Sequence, residues 1–258
     1  MRILTWNVNG LRAAIRKGFE RHVDRMQPDV MMLQEVRALP EQLPGNWAAP
    51  SGWHVDWHPA QRKGYSGVAT FSRLPQERLI TGIDGAPDPE GRVLATRLEG
   101  WDLVNVYLPS GSSSDAAQEK KNHWLEEFAP WCRVLRRRRR PVILVGDLNI
   151  ARCEQDIFHW RSNRNSSGFL PHERDWMNSL VDSGWADLVR EQFGEVDGPY
   201  TWWSNRGQAR ALDRGWRIDY ILANNVAQGH VRQVHVDREA ALEISDHAPV
   251  LVDVDGVE

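Results

Sequence analysis

Ten short apolar segments with the composition of β-strands are spread along the chain, and they constrain its fold more than any other feature. They cover residues 2–6, 29–35, 53–58, 67–72, 92–98, 101–108, 142–146, 217–223, 231–236 and 249–254. Helical periodicity is confined to residues 11–26, 115–136 and 171–190. Because short turns separate several neighbouring strands, the pattern predicts hairpins and a mixed sheet, or two packed sheets, with helices outside.

The composition is that of an ordinary globular chain. Its 258 residues, 41% hydrophobic and 26% charged, predict one domain over residues 1–258. No apolar run approaches the roughly 20 residues that span a bilayer, so no membrane association is expected. The N-terminus lacks the features of a secretory signal. Two cysteines, Cys132 and Cys153, cannot build a disulfide framework, which predicts a cytoplasmic location.

The charge pattern gives only a weak signal about partners. A net charge of −3 argues against purely electrostatic binding of nucleic acid. The run of five arginines at residues 136–140 is either a nucleic-acid patch or the end of a helix, where cations are favourable. The helix end is the preferred interpretation. Ser114 or Asp115 is predicted to cap this helix, and Pro171 to begin the next one.

Polar side chains gather where the predicted strands end. The residues concerned are Asn7, Glu35, Tyr107, Asp147, Asn149, Asp219, Asp246 and His247. Singly, each has a structural explanation, such as a turn or an ion pair between Asp219 and Arg214 or Arg217. Together they are costly unless they meet, because buried carboxylates require a partner or a cation. Oxygen ligands favour Mg²⁺ over zinc, which indicates metal-dependent phosphoester hydrolysis.

Nine ordered motifs carry a family resemblance: TWNVNGLRA, MLQE, KGYSGVA, VYLPSG, VGDLN, GFLPHERDW, YTWW, GWRIDYIL and SDHAPV. From residue 3 to about residue 252 the chain resembles the exonuclease III family of DNA-repair enzymes, within the endonuclease/exonuclease/phosphatase superfamily. The resemblance implies a deoxyribonuclease I-like, four-layered α/β sandwich of two packed mixed sheets flanked by helices. It also implies a monomeric enzyme that uses Mg²⁺ or Mn²⁺.

The activity implied by the resemblance is cleavage of DNA 5′ to abasic sites, with 3′→5′ exonuclease and 3′-phosphodiesterase or phosphatase activity. The partner would be double-stranded DNA with abasic sites or with damaged or recessed 3′ ends. The implied catalytic residues are Tyr107, Asp147, Asn149, Asp219 and His247. The implied metal ligands are Asn7, Glu35, Asp147, Asn149, Asp246 and His247. The implied DNA-binding residues are Asn9, Tyr65, Ser110, Arg164, Asn165, Trp202, Arg210 and Trp216.

The family pattern also assigns roles. Glu35 would be the principal metal ligand, Asn149 would hold the phosphate, and Tyr107 would lie against the scissile phosphate or its leaving group. Asp147 would orient or deprotonate the attacking water, while Asp219 would orient His247. The sequence leaves open whether Asp147 or His247 is the base.

Tryptophans are implied to form an apolar wall around the sugar of an abasic site. The pocket interpretation is preferred for Trp202 and Trp216, whereas for Trp203 core packing is an equal alternative. One departure from the family is Ser110, which stands where many members carry asparagine. It leaves the balance between abasic-site incision and 3′-end trimming open.

Two other functions compete with this interpretation. The first is a phosphatase or phosphodiesterase for phosphoinositides or sphingomyelin on the same scaffold, which the KGYSGVA motif and the tryptophans disfavour. The second is a non-catalytic nucleic-acid-binding regulator. A regulator of that kind is expected to have lost metal or base residues, whereas this chain retains the full set.

Overall fold

The computed structural model describes residues 1–256 of the chain. This range forms twelve strands: β1 (Arg2–Asn7), β2 (Val30–Gln34), β3 (His54–His58), β4 (Val68–Ser72), β5 (Glu77–Thr81), β6 (Val93–Leu98), β7 (Trp101–Tyr107), β8 (Val142–Asp147), β9 (Ala186–Asp187), β10 (Asp219–Ala223), β11 (Val231–Val236) and β12 (Val250–Val254). The same range forms eight α-helices: α1 (Leu11–Arg16), α2 (Phe19–Met26), α3 (Asp115–Arg136), α4 (Trp160–Asn163), α5 (Pro171–Asp182), α6 (Leu188–Phe193), α7 (Asn225–Gln228) and α8 (Arg238–Glu243).

The strands form two six-stranded mixed sheets. The spatial order is β11-β12-β1-β2-β4-β3 in the first sheet and β5-β6-β7-β8-β10-β9 in the second. One neighbouring pair in each sheet is parallel, β1 with β2 and β7 with β8, and the other pairs are antiparallel. Parallel strands end at the same edge, so each sheet brings two strand ends to one place.

Three apolar clusters hold four layers together. Between the sheets, Ile3 and Met32 of the first sheet pack in one cluster with Ile143 and Ile221 of the second. The outer face of the second sheet packs under α3 and α5, where the cluster includes Val104, Leu144, Phe128 and Met177. The outer face of the first sheet packs under α1 and α2, where Leu4 and Trp6 join Leu11 and Phe19. The predicted four-layered α/β sandwich is therefore confirmed.

Glycines account for the main differences between predicted and observed helices. The predicted helix over residues 11–26 is two helices, α1 and α2, because Gly18 between them adopts a φ of 94°. The predicted helix over residues 171–190 ends at Asp182, and Gly184, at a φ of 109°, leads into β9 and α6. Strand β5 was not predicted, because its partly exposed sequence ERLIT has no clear apolar alternation.

The predicted helix ends are correct. Ser114 caps α3 by accepting a hydrogen bond from the Ala117 amide over 3.2 Å, and Pro171 begins α5. Helix α3 ends at Arg136, so the arginine run begins at the last residue of a helix and continues just beyond it. Arg138 lies 2.5 Å from the buried carboxylate of Asp102. Asp102 pairs in register with Val142, at the edge opposite Asp147.

Two further observations concern covalent and membrane features of residues 1–256. Both cysteines are free thiols. No helix in this range combines the length and the apolar character needed to cross a membrane.

Candidate active site

The predicted site residues meet because the two pairs of parallel strands end at one edge. In the second sheet, Asp147 lies between Tyr107 on β7 and Asp219 on β10, in register with both. In the first sheet, Asn7 ends β1 beside Gln34, and Glu35 follows directly. Rigid strands therefore carry these side chains from both sheets to one point.

The side chain of Asn7 connects the two sheets at the bottom of the site. It is fully buried, and its Nδ2 donates hydrogen bonds to Glu35 Oε1 over 2.9 Å and to Asp147 Oδ2 over 2.8 Å. Its Oδ1 accepts from the amide of Asn9 over 3.0 Å. The amide nitrogen, not the predicted ligand oxygen, therefore faces the two carboxylates.

Three side chains are close enough to share one metal ion. Glu35, Asp147 and His247 are all buried, and each offers a ligand atom within 4.8 Å of those of the other two. Burial, together with the charges of Asp219 and Glu35, raises the pKa of Asp147 above the usual carboxyl range, although His247 opposes the shift. A divalent cation would relieve this repulsion, so the donor set fits a metal site.

The predicted ligands Asn149 and Asp246 lie beside this group. The backbone amide of Asn149 donates to Asp147 Oδ1 over 2.9 Å, and the side-chain Nδ2 of Asn149 donates to the carbonyl of Leu108 over 2.9 Å. Asp246 Oδ1 accepts from Asn9 Nδ2 over 2.8 Å, and Asp246 Oδ2 accepts from Trp202 Nε1 over 3.2 Å. Both Asp246 oxygens therefore already have protein partners.

Asp219 and His247 form a buried pair. His247 Nδ1 lies 2.9 Å from Asp219 Oδ2, while His247 Nε2 lies 3.8 Å from Asp147 Oδ2. Burial disfavours the imidazolium, but the Asp219 and Asp147 carboxylates outweigh it and raise the pKa of His247. These carboxylates favour the protonated form of His247, in which both ring nitrogens are donors. The alternative in which Asp219 pairs with Arg217 is wrong, because Arg217 pairs with Asp156 and Asp187.

Tyr107 closes the site on the side of β7. Burial raises the pKa of its phenol well above the usual value, and the nearby Glu35 and Asp147 charges add to the shift. The phenol therefore stays protonated. Arg92 donates to the Tyr107 carbonyl over 3.0 Å and to the Tyr65 hydroxyl over 2.9 Å, so Tyr65 is linked to the site through Arg92.

A cavity of about 880 Å³ opens above these groups. Of the predicted residues, the ones that line it are Asn9, Glu35, Tyr107, Ser110, Asp147, Asn149, Asn165, Trp202, Trp216, Asp246 and His247. Asn7 and Asp219 lie beneath the lining, bonded to residues that form it. Tyr65, Arg164 and Arg210 are not among the lining residues.

Two tryptophans form an apolar wall of the cavity. The rings of Trp202 and Trp216 meet edge to face, with centroids 6.0 Å apart, and the ring of Trp202 lies 6.5 Å from that of His247. Trp203 is only 1% exposed and packs in a small core with Tyr200. The pocket interpretation is therefore wrong for Trp203, which is a core residue.

Several lining residues were missed in the sequence. Arg37 lines the cavity and pairs with Glu35, and an arginine two residues beyond a buried strand-end glutamate was an available signal. The polar wall also contains residues 112–114, Gln118 and Ser167, which carry no comparable signal.

Comparisons with known proteins agree with this geometry. Residues 4–247 match the Endonuclease/Exonuclease/phosphatase family. The exodeoxyribonuclease of Bacillus subtilis (strain 168) is 34% identical over 252 residues, covering 97% of this chain and 98% of that protein.

Two solved structures have the same fold. A variant of the 3′ phosphatase NExo from Neisseria, bound to a product DNA hairpin, gives a TM-score of 0.90 at 32% identity and covers 99% of both chains. An AP endonuclease from Archaeoglobus fulgidus gives a TM-score of 0.90 at 26% identity, again covering 99% of both chains. These matches confirm the fold and the resemblance predicted from the ordered motifs.

Proposed function

Because the chain belongs to the Endonuclease/Exonuclease/phosphatase family, we propose that it is a divalent-metal-dependent nuclease of DNA repair. Its substrates are double-stranded DNA with abasic sites, cleaved on the 5′ side, and DNA 3′ ends, from which it removes nucleotides or blocking groups. The observation that carries the proposal is the buried group of Glu35, Asp147 and His247 beneath a cavity walled by two tryptophans. The activities named for the relatives are exonuclease, 3′ phosphatase and AP endonuclease.

The metal of this proposal is Mg²⁺ or Mn²⁺. Glu35 is the principal ligand, and Asp147 stands close enough to contribute. His247 would contribute only from its neutral form, because an imidazolium has no free lone pair for a cation. Carboxylate oxygens suit these hard cations, and among residues 1–256 no cysteine belongs to the group. When bound, the cation neutralises charge that develops on the phosphate oxygens. Asn7 would need to turn its side-chain amide to offer Oδ1 to the cation. The predicted ligand Asp246 would need to give up its hydrogen bond from Asn9 or from Trp202.

Asp147 is the residue that orients and deprotonates the attacking water. Its two oxygens accept hydrogen bonds from Asn7 Nδ2 and from the backbone amide of Asn149, which hold the carboxylate in one orientation and suit it to act as a general base. Burial disfavours the imidazolium, but the Asp219 and Asp147 carboxylates raise the pKa of His247, and in its protonated form it donates a hydrogen bond to a phosphate oxygen and stabilises the transition state. Asp219 keeps the imidazolium in place. The protonated phenol of Tyr107 serves as a donor beside the leaving group.

The tryptophan wall selects the substrate. A sugar without a base fits against the wall that Trp202 and Trp216 form, whereas a normal nucleotide needs space for its base. Asn9, Ser110 and Asn165 line the same cavity, and in this proposal they contact phosphates of the DNA backbone. Tyr65, Arg164 and Arg210 would contact more distant parts of the DNA backbone. We expect the protein to act as a monomer in the cytoplasm.

One gel experiment tests the proposed activity. A duplex with a single internal abasic-site analogue and a matched undamaged duplex with a recessed 3′ end are each incubated with Mg²⁺, with Mn²⁺ or with EDTA. We expect metal-dependent incision at the abasic site. The rate at which the recessed end is shortened, compared with the rate of incision, gives the relative exonuclease activity. The absence of metal-dependent product on both duplexes would contradict the proposal.

A further inference from the structure

A buried ion pair lies directly behind the cavity. Lys121 of α3 and Glu173 of α5 are both fully buried, and Lys121 Nζ lies 2.5 Å from Glu173 Oε1. Removing two charges from water is costly, and an apolar pair of similar volume is often as stable. The mutual attraction of the two charges alone therefore does not explain the pair, and the backbone groups that each side chain holds need to be considered. Neither residue lines the cavity, so neither can touch a substrate there.

Lys121 holds the backbone of the active-site strand end. Its Nζ donates a hydrogen bond to the carbonyl of Asn149 over 2.9 Å. Asn149 has a φ of 52°, a left-handed conformation that is uncommon for residues other than glycine. From this conformation its amide reaches Asp147 Oδ1 over 2.9 Å. The lysine thus stabilises the turn that joins the proposed base to the proposed phosphate ligand.

Glu173 holds the opposite wall of the cavity. Its Oε2 accepts hydrogen bonds from the amide of Gly168 over 2.7 Å and from that of Leu170 over 3.0 Å. Both of these residues line the cavity. The Gly168 carbonyl in turn accepts from the Ala151 amide over 2.8 Å, so this wall is joined to the chain just after Asn149.

A glycine makes the close approach possible. An added Cβ at Gly168 would lie 3.0 Å from the carbonyl oxygen of Asn149 and 3.2 Å from the ring of Trp216. The wall at residues 166–170 therefore lies so close to the tryptophan and to the active-site turn that residue 168 has no room for a side chain.

We propose that Lys121 and Glu173 are positioning residues that set the distance between the Asn149 turn and the cavity wall at residues 166–170, an inference that rests on the proposed nuclease function. The charges are needed because a lysine and a glutamate can each hold backbone groups that an apolar pair cannot hold. The pair affects the rate at which bound substrate reacts, because small misplacements of active-site groups lower kcat even when the contacts to the substrate remain.

The variant Lys121→Met/Glu173→Met tests this inference. It replaces the pair with apolar side chains of similar length and leaves no unpaired buried charge. On a duplex with an abasic-site analogue and saturating Mg²⁺, we expect kcat to fall roughly 10- to 100-fold while KM changes much less. Amide hydrogen exchange at Gly168 and Leu170, measured without DNA, should become faster than in the wild type.

A stability-matched control separates positioning from simple loss of stability. Leu135→Ala truncates a buried side chain near the far end of the same helix, and Leu135 is not among the residues that line the cavity. It should lower the melting temperature while kcat at 25 °C stays within about twofold of wild type. If kcat of the double variant also stays within twofold, or falls no more than that of Leu135→Ala, the inference is wrong. If the wild type gives no product, the proposed function fails and the inference fails with it.

Discussion

Replacing Asp219 by asparagine should slow the reaction without removing the metal site. Asp219 Oδ2 accepts from His247 Nδ1 over 2.9 Å, and both side chains are buried. A hydrogen bond to a charged group contributes about 1.5–3 kcal/mol, and each 1.4 kcal/mol corresponds to about tenfold in rate. The asparagine keeps the volume but loses the charge, so we expect kcat to fall roughly 10- to 200-fold.

Steady-state cleavage of a duplex with an abasic-site analogue measures this effect. The Mg²⁺ concentration at half-maximal rate should change little, because Asp219 is not among the three residues that converge on the metal position. Asp102→Asn is the matched control, since Asp102 is an equally buried carboxylate at the opposite edge of the same sheet. A kcat for Asp219→Asn within about twofold of wild type, or equal to that of the control, would refute the reasoning.

Three further predictions concern acid stability, substrate choice and the metal. Burial disfavours the Asp156 carboxylate, but Arg217 and Arg190 outweigh it and lower the pKa to about 2. The carboxylate therefore stabilises the fold above the usual carboxyl pKa, and about 2 kcal/mol of the free energy of unfolding should be lost as the pH falls from about 4 to 2. In urea unfolding, the free energy of unfolding of Asp156→Asn should change less over this pH range than that of the wild type. Trp216→Ala should lower the preference for abasic over undamaged duplex by about tenfold in a competition assay, and an unchanged ratio would argue against the wall. Glu35→Gln should weaken Mg²⁺ binding by roughly tenfold or more in calorimetry, and unchanged affinity would exclude Glu35 as principal ligand.

The strand ends were predictable because buried strands have a strong apolar signature. Asp147 and Glu35 follow such strands directly, and a carboxylate in that position is unusual enough to suggest chemistry. The family motifs then supplied the fold. What the sequence could not supply was register, because the pairing of Asp147 with both Tyr107 and Asp219 depends on contacts between distant segments.

The contacts behind the site were not predictable for a different reason. Lys121 and Glu173 lie in amphipathic helices, where charged residues are ordinarily assigned to the solvent-facing side. Their burial depends on how α3 and α5 pack over the second sheet. Likewise, Trp202 and Trp203 are adjacent in sequence, yet one faces the cavity and the other the core. Local composition is the same for both, so only the packing separates them.

The most direct test of the account is the behaviour of Asp147→Asn. This substitution keeps the size of the side chain and an oxygen able to accept the hydrogen bond from the backbone amide of Asn149, but it removes the proposed base. With Mg²⁺ and a duplex carrying an abasic-site analogue, turnover should fall by about two or more orders of magnitude, while the affinity for the same duplex stays within a few-fold of wild type. Turnover within a few-fold of wild type would contradict the assignment of Asp147, and with it the proposed mechanism.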